Sequence, residues 1–298
     1  MTGYSSLASA ARALGGDVVR GAILAPGPGH SRHDRSLSVR FDPAAPGGFV
    51  VHSFCGDDPL ACKDHVRAVL GIRQDTPPRL IAPRPEKPQD TSTGELAARL
   101  WRESVAPDET PVLAYLANRG VRLPAGAAGA AIRYHAACPF KGKRTPAMVA
   151  LVRDILTDKP MAVHRTALTP DGRNCEVEGE KRLSLGPIGG GAVKLSPDGE
   201  VVLSLGAGEG IETALSLRHL PEFGPGPVWA LLNAGNLAVL PVLAGVESLW
   251  IAEDHDPAGM RAAADTSARW TGAGKDVFRI KAIGIKADLN DIVKEGRP

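Results

Sequence analysis

The sequence predicts an α/β protein: a C-terminal third built on a mostly parallel sheet flanked by helices, preceded by a mixed α+β region and a small compact N-terminal module. Three observations carry that expectation. From residue 201 onward, continuous apolar runs alternate with helical patterns at the spacing of crossover connections, as strands buried on both faces require. Near the front, Pro77, Pro78, Pro83, Pro85 and Pro88 recur among polar residues and keep the backbone extended, which marks a linker. Between the two lies a stretch with helical patterns first and strand patterns after, which is neither a clean repeat nor a strict alternation.

In chain order, residues 6–14 predict a short helix, 37–41 and 49–54 strands, and 60–70 a helix, which together make a module over 1–73. The linker takes 74–92. The middle region, 93–199, predicts helices at 94–105 and 111–119 and strands at 147–154, 161–168 and 192–195. The last region, 200–298, predicts strand 201–205, helix 211–219, strands 228–232 and 248–252, helix 258–271 and strand 276–281.

The 298 residues and 43% hydrophobic content suffice for a real core. No apolar run approaches the roughly 20 residues that span a bilayer, and residues 1–11 lack a basic segment followed by an apolar core, so neither a membrane nor a secretory role is expected. Cys55, Cys62, Cys138 and Cys175 are too scattered for a disulfide framework and suit a reducing, cytoplasmic setting. The net charge of +2 hides a division: residues 201–298 hold 9 Lys and Arg against 12 Asp and Glu, leaving 26 against 21 for the rest. A basic front and an acidic back fit a polyanion contact in the first and cation binding in the second.

Ligands in open α/β sheets sit beyond the carboxyl ends of the strands, so acids that directly follow strands come first. Glu209 follows the first C-terminal strand, Asp254 and Asp256 follow the strand at 248–252, and Asp288 and Asp291 lie in a later acidic segment. Carboxylates converging on one edge would hold Mg²⁺ or Mn²⁺ and leave positions for phosphate oxygens. Each acid alone also suits a plain structural role: Asp256 before Pro257 is a good helix cap, and Glu209 and Glu212 sit where a helix dipole favours negative charge. Capping does not require all of them together.

Gly208-Glu209-Gly210-Ile211-Glu212-Thr213, then Trp250 through Gly259, then Asp288-Leu289-Asn290-Asp291 resemble the successive motifs of a Toprim domain over about residues 200–293. Toprim is the Rossmann-like metal-binding fold shared by bacterial-type primases, type IA and II topoisomerases and some nucleases. The resemblance implies Glu209, Asp254 and Asp256 as catalytic metal ligands, with Asp288 a further ligand. The chain departs from the common primase form in having Thr213 four residues after Glu209, with Glu212 one place earlier.

The middle region resembles the N-terminal half of a bacterial or phage primase core, through Ala114-Tyr115-Leu116-Ala117-Asn118-Arg119-Gly120. By that resemblance, Lys143, Arg144, Arg165, Lys181, Arg182 and Lys194 bind nucleic acid or nucleotide, with Lys181 and Arg182 foremost. Each is equally readable as a solvated strand-edge cation. Gly189-Gly190-Gly191 reads as a phosphate-approaching loop or, more simply, a turn. The N-terminal module resembles a primase zinc ribbon with a decayed metal site: Ala25 replaces a ligand, and Cys55 and Cys62 are too widely spaced. Zinc is not expected, although His30, Cys55, Cys62 and His65 form an alternative Cys₂His₂ set. Arg32, Arg35 and Arg40 remain for single-stranded DNA.

The expected function is thus a DNA primase-like nucleotidyltransferase of phage or plasmid type, acting on single-stranded DNA and nucleoside triphosphates with a divalent metal. No Gly-x4-Gly-Lys-Ser/Thr sequence occurs, so a replicative helicase would be a separate partner. Two alternatives stand beside it: a Toprim-type metal-dependent nuclease, and an inactive DNA-binding accessory protein. A topoisomerase is disfavoured because Tyr4, Tyr115 and Tyr134 offer no suggestive nucleophile.

Overall fold

A computed structural model describes residues 6–72, 91–281 and 289–290. Residues 74–90 of the expected linker and Asp288 lie outside the described residues, while the linker's last two residues, 91 and 92, already belong to a helix. No helix among those described is long and apolar enough to cross a membrane.

The N-terminal module is a four-stranded antiparallel sheet with two helices. Helix α1 (Leu7–Ala13) starts at Ser6, whose hydroxyl accepts the Ser9 N–H. Strands β1 (Asp17–Val19), β2 (Ala22–Ala25), β3 (Leu37–Phe41) and β4 (Phe49–Ser53) pair in sequence order. Helix α2 (Pro59–Leu70) is capped by Asp58, has Pro59 in its first turn and ends on left-handed Gly71. Ile23, Leu37, Val39, Phe49, Cys62, Val66 and Leu70 form its core. The β1–β2 hairpin escaped the sequence because its turn, Arg20-Gly21, lacks the usual Asn-Gly signal although both residues are left-handed. The two ring nitrogens of His30 face Asp34 at 2.8 Å and Asp57 at 3.1 Å, and Cys62 is buried in the core.

The remaining chain builds one nine-stranded sheet. In order come α3 (Thr91–Glu103), α4 (Pro111–Asn118), β5 (Ile132–Phe140), β6 (Lys143–Asp154), β7 (Pro160–Ala167), β8 (Arg182–Leu185) and β9 (Gly191–Lys194). Then follow β10 (Ser204–Gly208), α5 (Ile211–Ser216), β11 (Val228–Ala230), α6 (Ala234–Ala238), β12 (Ser248–Glu253), α7 (Pro257–Gly272) and β13 (Asp276–Lys281). The strand order is β13-β12-β10-β11-β9-β6-β7-β8, with β5 also on β6. Strands β13, β12, β10 and β11 are parallel; β9 joins them to the antiparallel half by pairing with both β11 and β6. The expected boundary near residue 200 is therefore crossed by a continuous sheet.

The strand expected at 201–205 is found three residues later, at Ser204–Gly208. Its glycines disguise it. A Cβ on Gly208 would lie 3.0 Å from the Ala214 backbone nitrogen, so the small residue is what lets α5 pack against the strand. The shift places Glu209 directly at the strand end. Helices α4 and α5 cover one face of the sheet through Tyr115, Leu116, Ile211 and Leu215, while α6 and α7 cover the other through Leu237, Ala263 and Trp270. The crossovers from β10 run to β11 on one side and then back to β12 on the other, so the strand order reverses between β10 and β12. That crevice is where open α/β sheets bind ligands.

The N-terminal module docks at the opposite end. Lys63 donates to the carbonyls of Pro46 (2.7 Å), Val201 (3.0 Å) and Asp198 (3.4 Å), and Arg67 to that of Gly199 (3.4 Å). The Ala244 N–H reaches the Ala44 carbonyl at 2.9 Å. Pro46 belongs to the module itself; the other contacts precede β10 or β12, at the amino ends of the parallel strands.

Candidate metal and nucleotide site

Glu209 and Asp254 extend the adjacent strands β10 and β12, whose register pairs Gly208 with Ala252. Helix α7 brings them together through Gly259: a Cβ there would lie 2.8 Å from Glu209 Oε1 and 3.1 Å from Asp254 Cβ. Only glycine leaves room for both carboxylates. The Glu209 carbonyl accepts the Leu232 N–H at 2.8 Å, and Leu232 adopts a left-handed φ of 71°, a strained conformation for a bulky residue. Asn233 caps α6, and the Ala234 N–H donates to the Glu209 carboxylate.

Burial, with the neighbouring Asp254 and Asp256 charges, pushes the Glu209 carboxyl up to about 7, against the smaller opposing effect of Ala234. Glu209 Oε1 is buried without a hydrogen-bond donor among the described residues. A crowded, under-satisfied carboxylate beside a second one is what a divalent cation would relieve. Asp256 is exposed, and its Oδ1 accepts from the N–H groups of Ala258 and Gly259, both at 2.8 Å. It is thus a helix cap within electrostatic reach of Glu209, as its place before Pro257 suggests. No group of three His, Cys, Asp or Glu side chains among the described residues forms a ready metal cage. The Glu209 and Asp254 carboxylates are of the type that Mg²⁺ uses, one or two carboxylates with water and substrate phosphates completing its shell.

The expected basic residues separate into three groups. Lys181 precedes β8 and Arg182 opens it, both at the surface. Lys143 and Arg144 lie on the β5–β6 hairpin beside its left-handed Lys141-Gly142 turn; Lys143 pairs with Glu178 at 2.5 Å and Arg144 donates to the Ala137 carbonyl. Arg165 and Lys194 correct the expectation, because both are buried and already engaged. Arg165 donates to the carbonyls of Pro139 (2.6 Å) and Ser184 (3.3 Å). Lys194, with a side chain only 2% exposed, bridges Asp158 at 3.0 Å and Asp198 at 2.6 Å over the Trp229 ring. The glycine turn before it is likewise engaged, since the Gly190 N–H donates to Asn236 Oδ1 and the Gly191 N–H to the Ile188 carbonyl.

Two residues that the sequence does not connect, Tyr115 and Glu212, meet at Arg182. Glu212, in the first turn of α5, turns inward from the carboxylate edge; Tyr115 donates to its Oε1 at 2.5 Å and Arg182 to its Oε2 at 3.0 Å. Burial alone would raise the Glu212 carboxyl, but the Arg182 guanidinium, the Tyr115 hydroxyl and Arg119 outweigh it and hold the group below its ordinary range. Burial pushes the nearby His164 imidazole down to about 4, with Arg182 adding to the effect, so His164 is neutral. Its Nδ1 meets Ser184 Oγ at 3.0 Å.

The sequence of residues 204–297 matches the Toprim domain. This segment is a Toprim domain. Residues 91–195, just before the Toprim segment, match a domain of unknown function, DUF7146. Comparison with curated proteins returns no match. Among solved structures, the chain is similar to the primase fragment of the bacteriophage T7 primase-helicase at 16% identity and a TM-score of 0.38, over 55% of this chain and 63% of that fragment. It is similar to the zinc-binding and RNA polymerase domains of the Aquifex aeolicus primase at 14% identity and a TM-score of 0.42, over 94% of this chain and 77% of that one. A DnaG primase catalytic domain bound to single-stranded DNA aligns at 12% identity and a TM-score of 0.44, over 69% and 75%. Toprim domains generally bind divalent metals such as Mg²⁺, the class of ion that the Glu209 and Asp254 carboxylates suit.

Proposed function

We propose that the chain is a DNA primase-like nucleotidyltransferase that makes short primers on single-stranded DNA. The observation that carries the reading is the under-satisfied Glu209 carboxylate, crowded against Asp254 at the Toprim crevice. In this reading Glu209 and Asp254 hold Mg²⁺ or Mn²⁺, Asp256 fixes the start of α7 and adds negative potential, and Asp288 is a further ligand. The bound cation would neutralise triphosphate charge and lower the barrier to deprotonating a primer 3′-hydroxyl. Arg182 and Lys181 take phosphate oxygens, and Lys143 and Arg144 contact the template backbone, positioning a strand without reading its sequence. A separate replicative helicase and a cytoplasmic setting complete the proposal.

The test incubates the protein with single-stranded DNA, labelled nucleoside triphosphates and Mg²⁺ or Mn²⁺, beside Asp254→Asn, and resolves products on a sequencing gel. New short oligomers that vanish in the variant support the proposal. Template shortening with the same dependence makes the protein a nuclease, and intact DNA binding with neither product makes it an accessory factor.

A further inference from the structure

We infer that Tyr115 and Glu212 are positioning residues that aim the Arg182 guanidinium at the phosphates of a bound nucleoside triphosphate; the inference rests on the proposed nucleotide site. Tyr115 belongs to α4, Arg182 to β8 and Glu212 to α5, so three separate elements converge on one polar contact. Tyr115 is 1% exposed and the Glu212 side chain 4%, whereas the Arg182 side chain is 42% exposed. Two buried groups thus hold Nη2 of Arg182, on a side chain that is itself partly exposed. Arg182 Nη2 donates to Glu212 Oε2 at 3.0 Å and to the Tyr115 hydroxyl at 3.4 Å. The Tyr115 proton in turn goes to the other Glu212 oxygen, which fixes the carboxylate plane.

A flexible arginine at the surface loses rotamer freedom when it binds an anion, and a pre-set one loses less. A guanidinium also presents several donors in a rigid fork, so holding one nitrogen fixes the direction of the rest. Glu212 lies three residues after Glu209, at the start of the helix that follows the carboxylate strand, so the fork and the proposed cation seat are tied to the same short segment. A purely cohesive role for the triad would need no partly exposed arginine, and an apolar contact would serve it as well.

The test measures the binding of inorganic tripolyphosphate by calorimetry to the full chain, to Tyr115→Phe, to Arg182→Ala and to Lys181→Ala, with thermal melts of each. Tyr115→Phe changes neither charge nor much volume. The expected result is a loss of about tenfold or more in Arg182→Ala, three- to tenfold in Tyr115→Phe, and a smaller loss in Lys181→Ala. Should Tyr115→Phe fold poorly, Glu212→Gln replaces it: simple electrostatics predicts tighter anion binding once that negative charge is gone, and positioning predicts weaker. Tripolyphosphate affinity within twofold of wild type in the Tyr115→Phe or Glu212→Gln protein, or no binding by the wild type, overturns the inference. The expected pattern in a protein that makes no primers would reject polymerisation and leave the positioning role intact.

Discussion

Replacing Glu209 with Gln should stabilise the protein while removing its response to divalent cations. The carboxyl titrates at about 7 in the folded chain against an ordinary value of 4.5. Between those values the folded chain keeps a proton that the unfolded chain has released, so the contribution of Glu209 to stability falls as pH rises through that window and stays unfavourable above it. At about 1.4 kcal/mol per unit, the full shift corresponds to roughly 3 kcal/mol. Partial exposure and screening reduce that to about 1–2 kcal/mol. Gln keeps the shape without the charge, so at pH 8 and without divalent ions its melting temperature should rise by about 2–6 °C. The gain should shrink towards zero near pH 4.5. Added Mg²⁺ should stabilise the wild type by about 1.4 kcal/mol at ten times its dissociation constant and leave Glu209→Gln unmoved. Differential scanning fluorimetry with and without Mg²⁺ at both pH values reads all of this. A variant that melts at or below the wild type at pH 8 would show that the Glu209 charge is not unfavourable in the folded chain, and one that keeps the full Mg²⁺ response would place the cation elsewhere.

Gly259→Ala should cut the proposed nucleotidyl transfer by more than tenfold while shifting unfolding free energy by only about 1 kcal/mol, because alanine favours the helix but its Cβ displaces the Glu209 carboxylate; gel assays and melts check both. Lys194→Met should destabilise by about 3–5 kcal/mol in urea titrations, since it leaves Asp158 and Asp198 buried without their shared cation. Burial pushes the Lys63 ammonium down to about 7, so its unfavourable contribution is complete below that pH and fades as pH rises towards the ordinary lysine range. Lys63→Met strips the donor from the Pro46, Val201 and Asp198 carbonyls and should destabilise, but by less at pH 7, where the wild type carries the ammonium penalty, than at pH 9 in urea titrations.

The acidic residues of the crevice were legible because each follows a strand that the apolar pattern betrays, and because a strand end in a parallel sheet is where ligands bind. The register of β10 was not, since Gly206 and Gly208 serve close helix packing and look like loop in a linear reading. Strand β5 was hidden by Pro139 and by the irregularity between His135 and Cys138, which breaks its alternation. Charge misled most at Arg165 and Lys194. Such residues are usually solvated, and nothing local shows that Asp158 and Asp198 close around Lys194. Tyr115 stood out only as part of the 114–120 motif; its pairing with Glu212 was hidden because the partner lies 97 residues away, and only the fold brings α4 against α5.

The most direct test of the central claim is a Mn²⁺ titration followed by electron paramagnetic resonance, with wild type, Glu209→Gln and Asp254→Asn side by side. Specific Mn²⁺ binding by the wild type, competed by Mg²⁺ and lost in both variants, is the predicted result. Equal binding in all three proteins, or none in the wild type, would contradict the assignment of the crevice carboxylates as the cation seat.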